Sequence, residues 1–304
     1  MLAAGVIWGA GGPVTKWLID ASGIPGIDFA SLAFARSVWA LPMLGVVAAV
    51  RRPVRILAGD WRLFGALAAI NAVMNVLFPL AAQQTSAAHL TLVYGANAPI
   101  VAVFESIFRK VSLDLRGKVA AACGILGVVV VSLTKSTSGA TVAGDAILIV
   151  WLIGFGAQAV ITRVLAERYS SGFITGLSWG MASLTIVAVG LPFGLWHALA
   201  APTSTPVAAA AFLGVLVAGM TFVAPTAFTR AAKATSAAVA TGATYYLALC
   251  VGLVLSITIL HETLRPGGIA GAVLLFVGIG LMMLPRRKAT PAYRRRPDGS
   301  WETL

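Results

Sequence analysis

Charge is what this sequence has least of: Asp, Glu, Lys and Arg together make 11 % of 304 residues, against about 25 % in soluble domains. Acidic residues are the scarcest, ten against 22 basic ones. There are two cysteines, Cys123 and Cys250, each inside a long apolar stretch. That excludes a disulfide scaffold, a redox pair and a thiolate metal site, and both read as small packing residues. Phosphate-cradling glycine loops and Gly-x-Ser-x-Gly elbows are missing, and His261-Glu262 lacks the second histidine of a zinc pair. No cofactor, no metal and no enzymatic chemistry are therefore expected.

What is present is apolar. Hydrophobic residues make 59 % of the chain, well above what a soluble or disordered chain carries. Apolar runs long enough to cross about 30 Å of hydrocarbon alternate with charged or Pro/Gly/Ser/Thr-rich joints. Ten such spans are expected, at 2–19, 29–50, 61–82, 86–108, 116–134, 143–165, 172–198, 207–229, 236–260 and 267–284. Residues 1–15 lack the basic leader and small-residue cleavage site of a secretory signal, and read as the first span.

The net charge of +12 raises the question of nucleic acid. Its distribution answers it. With the N-terminus placed in the cytoplasm, every basic residue except Lys16, Arg36, Lys135 and Arg265 falls on cytoplasmic joints or ends. The positive-inside rule then puts both termini in the cytoplasm and the chain in the cell membrane, with lipids and a small-molecule substrate as partners rather than nucleic acid. The tail, 285–304, sets six basic residues against Asp298 and Glu302 among three prolines. It is expected to be a disordered cytoplasmic segment beside the anionic leaflet.

The chain also repeats itself. Thr85-Ser86-Ala87-Ala88 recurs 150 positions later as Thr235-Ser236-Ala237-Ala238, and Thr91 matches Thr241 at the same offset. Gly117 and Gly127 answer Gly268 and Gly278, and Gly9 with Thr15-Lys16 answers Gly156 with Thr162-Arg163. The fold class expected is an all-α integral membrane protein of two five-helix repeats, 1–135 and 141–284. Five is odd, so the second repeat enters the membrane inverted, a recurring build of secondary transporters with a midplane site between the halves.

These residues resemble the drug/metabolite transporter superfamily, specifically EamA-type permeases. The resemblance is carried by IWGAGGPVTKWLI (Ile7 to Ile19), Arg36, the two TSAA-led helices, and HETLRPGGIAGAVLLFVGIGL (His261 to Leu281), with Glu262, Gly271 and Gly278 in matching places. The first half departs from the pattern, with Val111 or Ser112 at the position of that glutamate. The resemblance implies a ten-helix permease that moves small metabolites, often outward, through a cavity between the halves.

Polar side chains at membrane depth are costly and mark candidate sites. Thr91, Tyr94, Asn97, Val101 and Glu105 follow three- and four-residue steps and form one helix stripe. Tyr94 and Asn97 are the leading substrate candidates, although helix-to-helix hydrogen bonding would explain them too. Asn71 and Asn75 lie four apart, and their repeat mates are Thr221 and Pro225. Thr241, Thr244 and Tyr245 are counterparts of the Tyr94 stripe. Pro99 and Pro225 are expected to kink their helices.

Of Trp8, Trp151, Trp179 and Gln158, all within spans, Trp8 and Gln158 are taken as substrate candidates. Arg36 lies about eight positions, or roughly 12 Å, from its helix end and could hold a carboxylate or phosphate. Glu105 and Glu262 are candidates for ion coupling, with an ion pair to Arg109 as the plainer account of Glu105. His89, His197 and His261 read as interfacial. Gly5/Gly9, Gly172/Gly176/Gly180 and Gly267/Gly271 permit close helix approach within the chain or in a homo-oligomer. The function expected is alternating-access export of a small metabolite such as an amino acid. The alternatives are a non-transporting scaffold or receptor, or a lipid-handling membrane protein.

Overall fold

In the computed structural model, residues 1–25, 27–50, 56–110, 113–134, 141–234, 237–283, 293–295 and 301–303 are described. Lys135, Val111, Ser112, Thr235, Ser236 and the basic residues 51, 52, 55, 286–288 and 296 lie outside these. The chain runs as α1 (Leu2–Lys16), α2 (Phe29–Val50), α3 (Asp60–Gln84), α4 (Ala87–Tyr94), α5 (Asn97–Arg109), α6 (Leu115–Leu133), α7 (Val142–Ala166), α8 (Ser171–Gly190), α9 (Pro206–Ala209), α10 (Ala224–Ala234), α11 (Ala237–Thr258) and α12 (Pro266–Met283). Wider π turns extend α1 over Trp17–Ala21 and join α9 to α10 over Ala210–Val223.

Local chemistry starts these helices where the sequence changes character. Ser86, Asp114, Thr141, Ser170 and Thr205 each accept a backbone N–H from the first turn of the helix that follows, which satisfies one of the free donors there. Eight helical stretches among the described residues are long and apolar enough to cross a membrane. α1 and α2 stand beside these eight.

The structure differs from the expected spans in three places. The fourth is broken, because Pro99 has no N–H and its ring crowds the carbonyl four residues back. Gly95 and Ala96 instead bond to Leu92 and Val93 in tight three-residue turns, so Tyr94 and Asn97 stand on separate helices and the expected stripe is interrupted. The seventh stops at Gly190, where Pro192 and a left-handed Gly194 turn the chain into short 3-10 segments. In the tail, β1 (Tyr293–Arg295) pairs antiparallel with β2 (Trp301–Thr303), where disorder was expected.

Packing joins α1–α6 to α7–α12. α6 lies against α12, α1 against α11, α2 against α8, α3 against α7 and α8, and α5 against α7 and α11. Of the apolar window in Ala87–Phe108, 83 % is buried, against 28 % for Leu115–Leu133. The broken helix is therefore the centre of the bundle and the α6/α12 pair its rim. That rim exposes Ile125, Leu126, Val129, Ile269 and Val273, the surface a hydrocarbon solvent asks for. Glycine lets the backbones meet: a Cβ on Gly9 would lie 2.6 Å from the Ala248 carbonyl oxygen, and one on Gly271 would collide with a Val131 methyl. Both stripes are thus used inside the chain.

Candidate functional site

At the centre of the bundle a small cavity is lined from both halves. Arg36 comes from α2, Asn75 and Phe78 from α3, Tyr94 from α4, Trp151, Phe155 and Gln158 from α7 and Trp179 from α8. Trp8 of α1, Tyr245 of α11, Met74 and Met220 complete it. The rings pack on one another. Tyr94 stacks on Trp151 at 4.7 Å between centroids and on Phe78 at 5.4 Å, and Trp8 stacks on Tyr245 at 5.5 Å. About 40 Å³ remains, room for roughly one water molecule.

Arg36 is the cation of this site. Its Nε donates to Thr221 Oγ1 at 3.0 Å, and its guanidinium lies 5.5 Å from the Trp179 ring centroid. Thr221 sits in the π segment and donates its own hydroxyl to the Leu216 carbonyl, which fixes the oxygen that receives Arg36. Asn75 donates to Ser37 Oγ at 3.1 Å, while its Oδ1 and the buried Tyr94 hydroxyl have no partner among the described residues. Orphaned polar atoms beside a cavity are groups left for a ligand or a water.

A second, narrower space adjoins the first through Trp8, Gln158 and Trp179. It is edged by Asn71, Thr162, Thr175, Ser178 and Thr229, and Asn71 donates to Ser178 Oγ at 3.2 Å. This polar seam leads toward the end of the bundle where Asp60 binds Arg168 at 2.6 Å and Tyr169 at 2.7 Å.

The other sequence candidates lie elsewhere. Asn97 is fully buried but outside the cavity, and among the described residues neither atom of its amide has a partner. Thr241 donates to the Ala237 carbonyl one turn back at 2.6 Å and also stands outside it. Glu262 accepts the Ala87 and Ala88 amides at 2.8 and 2.6 Å, capping α4 from the opposite half. Glu105 accepts the Ala237 amide at 3.1 Å and so reaches the start of α11 in the same manner. The two carboxylates form a matched pair that the departure at Val111/Ser112 conceals in the sequence.

His89, expected at an interface, is fully buried, with Nε2 against Asp145 Oδ1 at the start of α7. Nearby, Thr141 donates to the Gln84 carbonyl at 2.7 Å. This closure escaped sequence reading because its members are 56 and 57 positions apart. The participation of Trp151 and Trp179 was legible only as apolar bulk inside a span. A larger open groove of about 560 Å³ runs between α2, α3 and α8, but Thr185 is the lone polar residue among the aliphatic and aromatic side chains lining it.

A multi-pass helical bundle with a partly polar cavity at its centre has the architecture of a membrane transporter of small molecules. The chain belongs to the EamA-like transporter family, which it matches over residues 1–133 and again over 142–284, placing it in the drug/metabolite transporter superfamily. Members of that family are transporters rather than enzymes. Among solved structures 27 chains match. One of them, described only as a crystal structure of a protein, is similar with TM-score 0.60 at 14 % identity, covering 92 % of this chain and 98 % of that one; at that identity the likeness concerns the fold. No curated protein matches.

Proposed function

We propose that this chain is a secondary transporter of ten spans in two inverted repeats, 1–135 and 141–284, exporting small amphipathic metabolites such as amino acids across the cytoplasmic membrane. The observation that carries this reading is the cavity itself: both halves line it, it holds orphaned polar atoms, and separate polar contacts between the halves close it at either end. Alternating access by rocking of two inverted halves needs that arrangement.

The packing supports the repeat. Under exchange of each helix with its mate in the other half, α3 against α7 becomes the α9–α10 span against α1, and α1 against α11 becomes α5 against α7; all four contacts are present. Asn71 and its mate Thr221 each bind a polar residue of the opposite half, Ser178 and Arg36. The positive-inside rule puts Asp60 and Arg168 on the cytoplasmic side, so the polar seam leads inward and the His89, Thr141 and Glu262 contacts close the outside. A cavity of about 40 Å³, far below the roughly 300 Å³ of ordinary ligand sites, corresponds to an occluded stage of the cycle.

The test is untargeted mass spectrometry of medium and cytosol from cells making the parent chain or Tyr94→Ala/Asn75→Ala at equal membrane abundance. A compound enriched in the medium with the parent alone is the expected result. Identical media and cytosols would refute export of any metabolite those cells make.

A further inference from the structure

The central site holds a cation that has no counter-ion among the described residues. Arg36 is 5 % exposed, and among the described residues its partners are one hydroxyl and one aromatic ring. Of its five N–H groups, the Nε one is spent on Thr221, and among the described residues no hydrogen bond is made by the terminal nitrogens. The lining contains neither Asp nor Glu. The acids nearest the ends of the central helices, Glu105 and Glu262, are committed to backbone amides. An uncompensated charge at membrane depth is expensive and marks a site that a ligand completes.

The geometry narrows the ligand further. Thr221 takes Nε and the Trp179 ring centroid lies 5.5 Å from the guanidinium carbon, which leaves the two terminal nitrogens, the planar fork that receives a carboxylate through two parallel hydrogen bonds. The Tyr94 hydroxyl, without a partner among the described residues, supplies a further donor in the same cavity. Around these polar groups the walls are rings lying nearly parallel, with Tyr94 and Trp151 inclined by 27° and Trp151 and Phe155 by 18°. A flat apolar body slid between two such rings replaces one stacking contact by two, so little is lost when the rings part. A single cation balances a single negative charge.

We infer that the transported molecule carries one carboxylate and a flat apolar body, the carboxylate on the terminal nitrogens of Arg36 and the body between Tyr94 and Trp151. The inference rests on the cavity being the transport site. It goes beyond that reading by assigning a charge and a shape to the cargo.

The probes are phenylacetate, its neutral amide, phenethylamine, and acetate, which lacks the ring. Each is titrated against the purified full chain in lipid nanodiscs by thermal shift. Phenylacetate is expected to bind at least about tenfold more tightly than the amide, the amine or acetate. Arg36→Gln removes the preference for acid over amide, and Arg36→Lys keeps it in weaker form. Equal binding of amide or amine, an equal shift from sodium chloride alone, a preference that survives Arg36→Gln, or no binding by any probe would overturn the inference.

Counterflow of labelled phenylacetate in proteoliposomes separates this inference from the transport reading. Acid-selective binding without counterflow refutes carriage and leaves the anion site standing. Counterflow indifferent to charge refutes the anion site and leaves carriage standing.

Discussion

Asn75 and Asn97 are the same residue type at similar depth in the bundle, both nearly inaccessible, yet their surroundings differ. Asn75 spends its amide nitrogen on Ser37 and lines the cavity, whereas Asn97 lies outside it and both its amide atoms lack partners among the described residues. An unsatisfied buried amide costs about 1–3 kcal/mol. Asn97→Leu is therefore expected to raise the thermal midpoint in detergent while transport continues. A lowered midpoint would show that the amide has a partner. Tyr94→Phe deletes the orphaned hydroxyl and keeps the ring stack; it is expected to leave the midpoint within a few degrees and slow transport severalfold. Depth and residue type flagged Asn75, Asn97 and Tyr94 alike in the sequence, because hydropathy reports how far a side chain is from water and not which neighbour it meets.

At the scale of elements, the central helix is broken and each of its counterparts is held from across the molecule. Glu262 caps α4, and Glu105 reaches the first turn of α11. A carboxylate at a helix N-terminus meets both free amides and the positive end of the helix dipole. Glu262→Ala removes two charge-assisted bonds and is expected to destabilise by about 2–3 kcal/mol, read as a lower midpoint. Glu262→Gln keeps one acceptor oxygen and should fall between. An unchanged midpoint in Glu262→Ala would mean that the cap contributes nothing to this closure. The break at Gly95 and Ala96 was foreshadowed by Pro99, since a missing N–H is local information. The partners of the two glutamates were not, being 174 and 132 positions away.

For the whole molecule, the proposed alternating-access cycle requires that the polar contacts at one end part while those at the other hold. Thr141 donates to Gln84, and His89 faces Asp145, across the junction of the two halves. Cross-linking this end should therefore stop turnover. Gln84→Cys/Thr141→Cys, with Cys123 and Cys250 replaced by alanine, is expected to lose transport on oxidation and regain it on reduction. Transport through the oxidised form would remove this end from the cycle.

Residence in a membrane, helices as the fold, the positions of most spans and the basic asymmetry were determined by the sequence alone. Apolar run length, capping residues and charge act within a few neighbours along the chain, and the bilayer selects on them directly. Tertiary structure decided that Arg36 meets Thr221 at a separation of 185 positions, that Asn97 and Thr241 face away from the cavity, and that His89 is buried against Asp145. Those outcomes follow from how the helical segments rotate and cross. Helical rotation is set by the summed packing of every neighbour, a quantity that no local stretch of sequence contains.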